Sequence, residues 1–208
     1  MADTQTSAPT VATADPAPLG LVGFAATTLV LSVTNAGLVS PSVVYAVLPL
    51  ALFYGGLAQF VAGVIEFRRG NTFGATAFPT YGAFWMAYAF FVWFFAGKIT
   101  DASGKVDVTA TNEAVGMFLL VFAIVTAYLT IAAIRTSGAV LAVFTALTLT
   151  FVFLCIGAFA DSTGINHIGG WIGIITAILA FYTSFAEVTN ATWKRQVLPT
   201  FPMVPAVS

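Results

Sequence analysis

The sequence predicts an all-α integral membrane protein, on three observations. Of its 208 residues, 59% are hydrophobic and only 7% charged, whereas a soluble domain typically carries ~25% charged residues. The apolar residues fall into six runs, each near the ~20 residues that a helix needs to cross the hydrocarbon. The short alternating segments of a membrane β-barrel are absent. Helices are therefore the expected spanning element, because each pairs its backbone groups within itself.

Residues 1–14, rich in Ala and Thr, contain no basic residue. They lack the positive start of a secretory signal and read as a disordered tail. Residues 15–195 form one six-helix domain, and residues 196–208 read as a C-terminal tail. The spans run approximately Leu19–Val39, Val43–Phe67, Phe78–Gly97, Glu113–Ile134, Ala139–Ala160 and Ile168–Asn190. Connections are short except for Lys98–Asn112, a polar loop with turn residues. An even number of spans leaves both termini on one side. That side collects Arg68, Arg69, Arg135, Lys194 and Arg195, and the other holds Lys98 and Lys105. The excess marks the termini as cytoplasmic.

The first span has a helix start. Asp15 is placed to accept hydrogen bonds as an N-cap, with Pro16 at the first helical position. Phe24, Thr28, Ser32 and Asn35 follow at helical spacing on one face. Such a stripe is either interhelical glue or the wall of a water-filled path. In the second span Pro49 is a kink site, and Gln59 and Glu66 share a face. At Gly70-Asn71-Thr72 the chain breaks. Either Asn71 or Thr72 caps a short helix dipping back into the protein, or the stretch is a plain loop. Tyr81, Trp85 and Tyr88 line one face of the third span, by aromatic packing or as a pore wall. The fourth span, with Thr126 and Thr130, reads as scaffold. In the sixth, Gly169, Gly173 and Ala177 form a small-residue seam suited to close helix contact.

These motifs carry a resemblance. Pro16-Ala-Pro-Leu-Gly-Leu21, Gly23-Phe24, Thr27-Thr28 and Asn35-Ala-Gly37 are similar to the signature of the acetate uptake transporter family, which contains bacterial succinate–acetate permeases and fungal acetate transporters. Phe53-Tyr-Gly-Gly-Leu-Ala-Gln59, Gly70-Asn-Thr-Phe-Gly74, Tyr81-Gly-Ala-Phe-Trp85, Gly170-Trp-Ile-Gly173 and Glu187 extend the match over nearly all of the chain after Asp15. Asp15 itself departs from the usual Asn. The resemblance implies six helices around a central path in each protomer, protomers assembled as a homohexamer, and a hydrophobic constriction of Phe24, Tyr81 and Leu147.

No Lys or Arg lies in the middle of any span. An anion must then be held by hydroxyls, amides or helix N-termini, which suits a small monocarboxylate and permits passage as the neutral acid. The candidate substrate-binding groups are Thr28, Ser32, Asn35 and Gln59. The missing central lysine also counts against a retinal protein. Glu66 and Glu187, at cytoplasmic span ends, are either proton carriers or structural partners, Glu66 of Arg68 or Arg69 and Glu187 of Lys194. His167 falls at the outer mouth of the sixth span, and Cys155 in an apolar run. No metal-ligand cluster, cofactor motif or nucleophile–base constellation appears, which argues against an enzyme. No basic patch suggests nucleic acid. The expected function is movement of acetate and similar short monocarboxylates, succinate included, across the cytoplasmic (plasma or inner) membrane, as a channel or a proton-coupled carrier. The alternatives are passage of another small solute such as ammonium, and a non-transporting membrane sensor.

Overall fold

The computed structural model describes residues 13–203, so most of the segment expected as an N-terminal tail, and residues 204–208, lie outside the described residues. Among the described residues, seven α-helices, α1 to α7, cover Ala17–Asn35, Val44–Leu52, Gln59–Arg69, Thr72–Phe90, Val108–Ala133, Gly138–Phe159 and Thr163–Trp193. Among the described residues, five helical runs are long and apolar enough to cross a membrane: α1, the composite run Pro41–Arg69, α5, α6 and α7. The composite run joins α2 to α3 through a π-helical segment, Phe53–Ala58. Pro49 lies inside α2, where it lacks an N–H and its ring crowds the preceding turn, one turn before the π-helical segment begins.

Helix α1 begins one residue later than the sequence suggested. The Pro16 carbonyl accepts the first helical bond, from Gly20 N at 3.1 Å, so Pro16 is the cap. Asp15 lies outside, where it accepts from Ala17 N at 2.9 Å and pairs with Arg69 at 2.7 Å. The larger correction is at α4, which starts at Thr72 rather than Phe78. Gly70 takes a left-handed conformation (φ 72°) that ends α3. Asn71 then accepts from Gly74 N at 3.2 Å and caps α4 directly, with Pro79 accommodated inside the helix. Pro79 has a stabilising neighbour: a Cβ on Gly63 of α3 would collide with its ring, so only glycine allows α3 and α4 to lie this close.

The helices close a ring in the order α1, α7, α6, α5, α4, α3 and back to α1. Small residues set the α1–α7 approach. A Cβ on Gly170 would strike the backbone of Asn35 and Ala36, and one on Gly173 would strike Ser32 Oγ. Gly169 faces Leu154 of α6, and Ala177 is fully buried. The seam at Gly169, Gly173 and Ala177 is thus used within the chain. Helices α4 and α5 approach least closely, and side chains fill the gap: Phe84 stacks on Phe118 at 5.3 Å and meets Phe122 edge-on at 4.8 Å.

Residues 197–203, within the expected C-terminal tail, fold back as a strap. Asn190 holds it through Val197 N, Leu198 N and Leu198 O at 2.7, 2.9 and 2.8 Å. Tyr182 donates to Pro199 O at 2.7 Å. Beyond this anchor, the carbonyls of Phe201 and Thr200 accept from Gly138 N and Ala139 N at 2.7 and 3.2 Å, covering the first amides of α6.

Candidate functional site

Two cavities, each about 230 Å³, lie along the inside of the ring. The first opens between the ends that carry Asp15, Asn71, Thr136 and Glu187. The second opens at the opposite end, beside Asn35, Asn112 and Asn166. Phe24 and Leu147 are the residues that line both cavities. Tyr81 lines the first, its ring centroid 5.9 Å from that of Phe24 and 5.9 Å from that of Phe144. Phe24, Tyr81 and Leu147 are all buried, Phe24 and Leu147 bordering both cavities and Tyr81 the first alone. Their positions follow from helical phase. Phe24 stands one turn before Thr28 on α1, Tyr81 one turn before Trp85 on α4, and Leu147 faces them from the middle of α6.

The expected substrate-binding residues divide between the cavities. Thr28, Ser32 and Asn35 line the second, so the polar stripe of α1 does face open space. Gln59 is in the first, with Glu66 and Glu187. The two cavities differ in charge. Among the described residues, no Asp, Glu, Lys or Arg lines the second. Its buried Thr28 hydroxyl and Trp85 indole Nε1 have no hydrogen-bond partner, and a buried polar group left unpaired is costly. An indole N–H is a donor only, so this wall offers a donor to whatever enters. The first cavity offers acceptors: Gln59 Oε1, Glu66 Oε1 and Glu187 Oε2 are buried and unpaired.

Of the ion pairs expected for the two glutamates, one forms. Glu66 Oε2 lies 3.4 Å from Arg69, whose guanidinium also grips Asp15 through bonds of 2.7 and 3.2 Å. Arg68 does not take part, and Glu187 does not pair with Lys194; one reason is that Lys194 is left-handed and follows the last turn of α7, which carries it off the helix face of Glu187. His167 packs under Gly37 at the second-cavity end, where a Cβ on Gly37 would lie 2.6 Å from its Nε2. Cys155 is buried and reduced, its thiol 3.5 Å from Gly116 O. Among the described residues, no group of His, Cys, Asp and Glu could hold a metal ion.

Sequence reasoning missed Thr126, read as scaffold, which bonds the Tyr81 hydroxyl at 2.9 Å. It missed Trp85 as a donor and Phe144 as the second ring against Tyr81. The apolar fourth span gave no signal for Thr126, because a threonine that bonds its own helix looks the same in sequence.

Comparison with known proteins gives a consistent picture. The GPR1/FUN34/yaaH family model matches residues 2–205. The chain is 36% identical over 186 residues to the Succinate-acetate/proton symporter SatP of Escherichia coli (strain K12), covering 89% of this chain and 94% of that one. It is 38% identical over 182 residues to Ammonia transport outward protein 2 of Saccharomyces cerevisiae, covering 85% and 62% respectively. A solved structure of the bacterial acetate channel SatP superposes with a TM-score of 0.82 at 35% identity, over 91% of this chain and 99% of that one.

Proposed function

This chain belongs to the GPR1/FUN34/yaaH family, and from that premise we propose that it moves acetate and similar short monocarboxylates, succinate included, across the cytoplasmic membrane. The observation that carries the proposal is the pair of cavities meeting at Phe24 and Leu147. Phe24, Tyr81 and Leu147 act as an apolar neck, which resists passage because a narrow apolar constriction holds water poorly. In the second cavity Thr28, Ser32, Asn35 and the Trp85 N–H receive the carboxylate without a fixed countercharge, so it is held weakly enough to leave. The names of the SatP relatives and of the matching structure support the substrate class.

Charge in the first cavity favours proton coupling. An acetate ion there meets Asp15, Glu66 and Glu187 against a single Arg69. Neutralising Glu187, or the substrate itself, removes the repulsion that this excess creates. Helix α4 serves as the sixth crossing: Thr76 returns its hydroxyl to the Thr72 carbonyl at 2.8 Å, and Pro79 packs against Gly63 of α3. The basic residues at the first-cavity end orient that end, and both termini, toward the cytoplasm. Exposed apolar side chains on the outer surface, among them Phe67, Ile124 and Ile131, suit lipid and neighbouring protomers of a homohexamer.

One observation favours a second solute. The unpaired acceptors of Gln59, Glu66 and Glu187 suit a small donor such as ammonium, and one relative is named for ammonia transport. Labelled-acetate uptake by purified protein in liposomes, with the pH gradient imposed or collapsed, tests the main reading. Uptake no faster than in protein-free liposomes refutes it. Ammonium flux that acetate does not affect would favour the second solute.

A further inference from the structure

The hydroxyl of Tyr81 lies 2.9 Å from Thr126 Oγ1 across the wide seam between α4 and α5. Thr126 Oγ1 also lies 2.6 Å from the Phe122 carbonyl, to which it donates. A threonine hydroxyl has one proton. With that proton committed to Phe122 O, the proton between the two hydroxyls must come from Tyr81. We infer that Thr126 is a positioning residue that withdraws the Tyr81 hydroxyl from the conduction path, so that the tyrosine presents only its ring to the neck. The inference rests on the reading of Phe24, Tyr81 and Leu147 as the constriction of an acetate pathway.

The surroundings hold this arrangement. Thr126 is fully buried. One turn along, Thr130 Oγ1 lies 2.8 Å from the Thr126 carbonyl and 2.8 Å from Thr148 Oγ1, which ties this part of α5 to α6. Phe24 and Phe144 flank the Tyr81 ring, each with its centroid at 5.9 Å. The ring is therefore fixed at its tip by a hydrogen bond and along its sides by two aromatic neighbours. Without the bond, a buried phenol would need another partner, and the open direction is the neck. There the O–H would donate to a passing carboxylate and retain water. A constriction meant to be apolar would become a weak anion site.

The test uses full-length protein in liposomes, with labelled-acetate uptake and osmotic water permeability measured on preparations of equal assembly. Thr126→Val should lower the apparent KM for acetate about two- to tenfold, the range that one neutral hydrogen bond supplies, and should raise water permeability. Thr126→Ser should restore the parent values. In a Tyr81→Phe background, Thr126→Val should produce neither change, because no hydroxyl remains to be released. A Thr126→Val protein that matches the parent in both measurements overturns the inference, as does an effect that persists in the Tyr81→Phe background. If Thr126→Val and Thr126→Ala both fail to assemble while Thr126→Ser assembles, the hydroxyl is structural and the inference also falls. A parent protein that conducts no acetate would instead overturn the transport reading on which the inference rests.

Discussion

Phe24→Ala is the most direct perturbation of the neck. The side chain is 4% exposed, packs against Tyr81 and borders both cavities. Truncating a core phenylalanine to alanine typically destabilises by about 3–5 kcal/mol. Phe24 should fall near the lower end, because open space on two sides already deprives the ring of some packing partners. Removing it joins two spaces of about 230 Å³ each into one continuous path. Relief of ~1.4 kcal/mol at the barrier corresponds to a tenfold rise in flux. Phe24→Ala should therefore raise acetate flux by about that factor and succinate flux by more, since width limits the larger acid most. Uptake of both labelled acids into liposomes, normalised to correctly assembled protein, measures the ratio. If Phe24→Ala and Leu147→Ala proteins both assemble normally and match the parent in flux and in size selectivity, the neck assignment is wrong and these side chains are ordinary packing.

Thr28→Val removes a hydroxyl from the second cavity without changing its shape, and should raise the apparent KM for acetate while leaving the succinate-to-acetate ratio unchanged. Arg69→Gln strips the buried Glu66 of its partner and should lower the melting temperature in detergent, whereas Asp15→Asn, at a half-exposed member of the same cluster, should cost no more than about 1 kcal/mol of stability and move the melting temperature correspondingly less. Asn190→Ala should free the strap, seen as faster amide hydrogen exchange at Gly138 and Ala139; unchanged exchange there would refute the capping role. For orientation, cysteines introduced at Ser7, which lies outside the described residues, and at Ser103, in a Cys155-free background, should react with an impermeant thiol reagent in intact cells at Ser103 alone. Labelling at Ser7 alone would reverse the topology.

Hydrophobic runs and helical phase made most of this architecture legible in the sequence. The face shared by Phe24, Thr28, Ser32 and Asn35 was visible from spacing alone, and all four residues line the second cavity. Spacing could not tell that Gln59 belongs to the other cavity, because that depends on how α3 is offset from α1 by the π-helical segment after Pro49. The early start of α4 was hidden by Thr72, Gly74, Thr76 and Pro79, which weaken both hydropathy and helix propensity. Asn71, one of the two caps that the sequence offered, starts the helix locally, and what spacing could not show is Gly63 beneath Pro79, which lets the stretch pack as one helix with the rest of α4. The Tyr81–Thr126 bond joins residues 45 apart, and no local pattern encodes it.

The strap also bears on the order in which the molecule is built. Helix α6 is synthesised before α7, and α7 before the carbonyls of Thr200 and Phe201 that cover the first amides of α6. A nascent chain thus carries the start of α6 unfinished until Thr200 and Phe201 emerge, and water or lipid headgroups must serve those amides meanwhile. Because Thr136 and Ser137 at this turn also border the first cavity, its mouth takes final shape only after every helix is in place. A fusion partner or affinity tag placed after the strap would load that last-formed joint, so the tag-free protein is the proper reference for rates measured from this side.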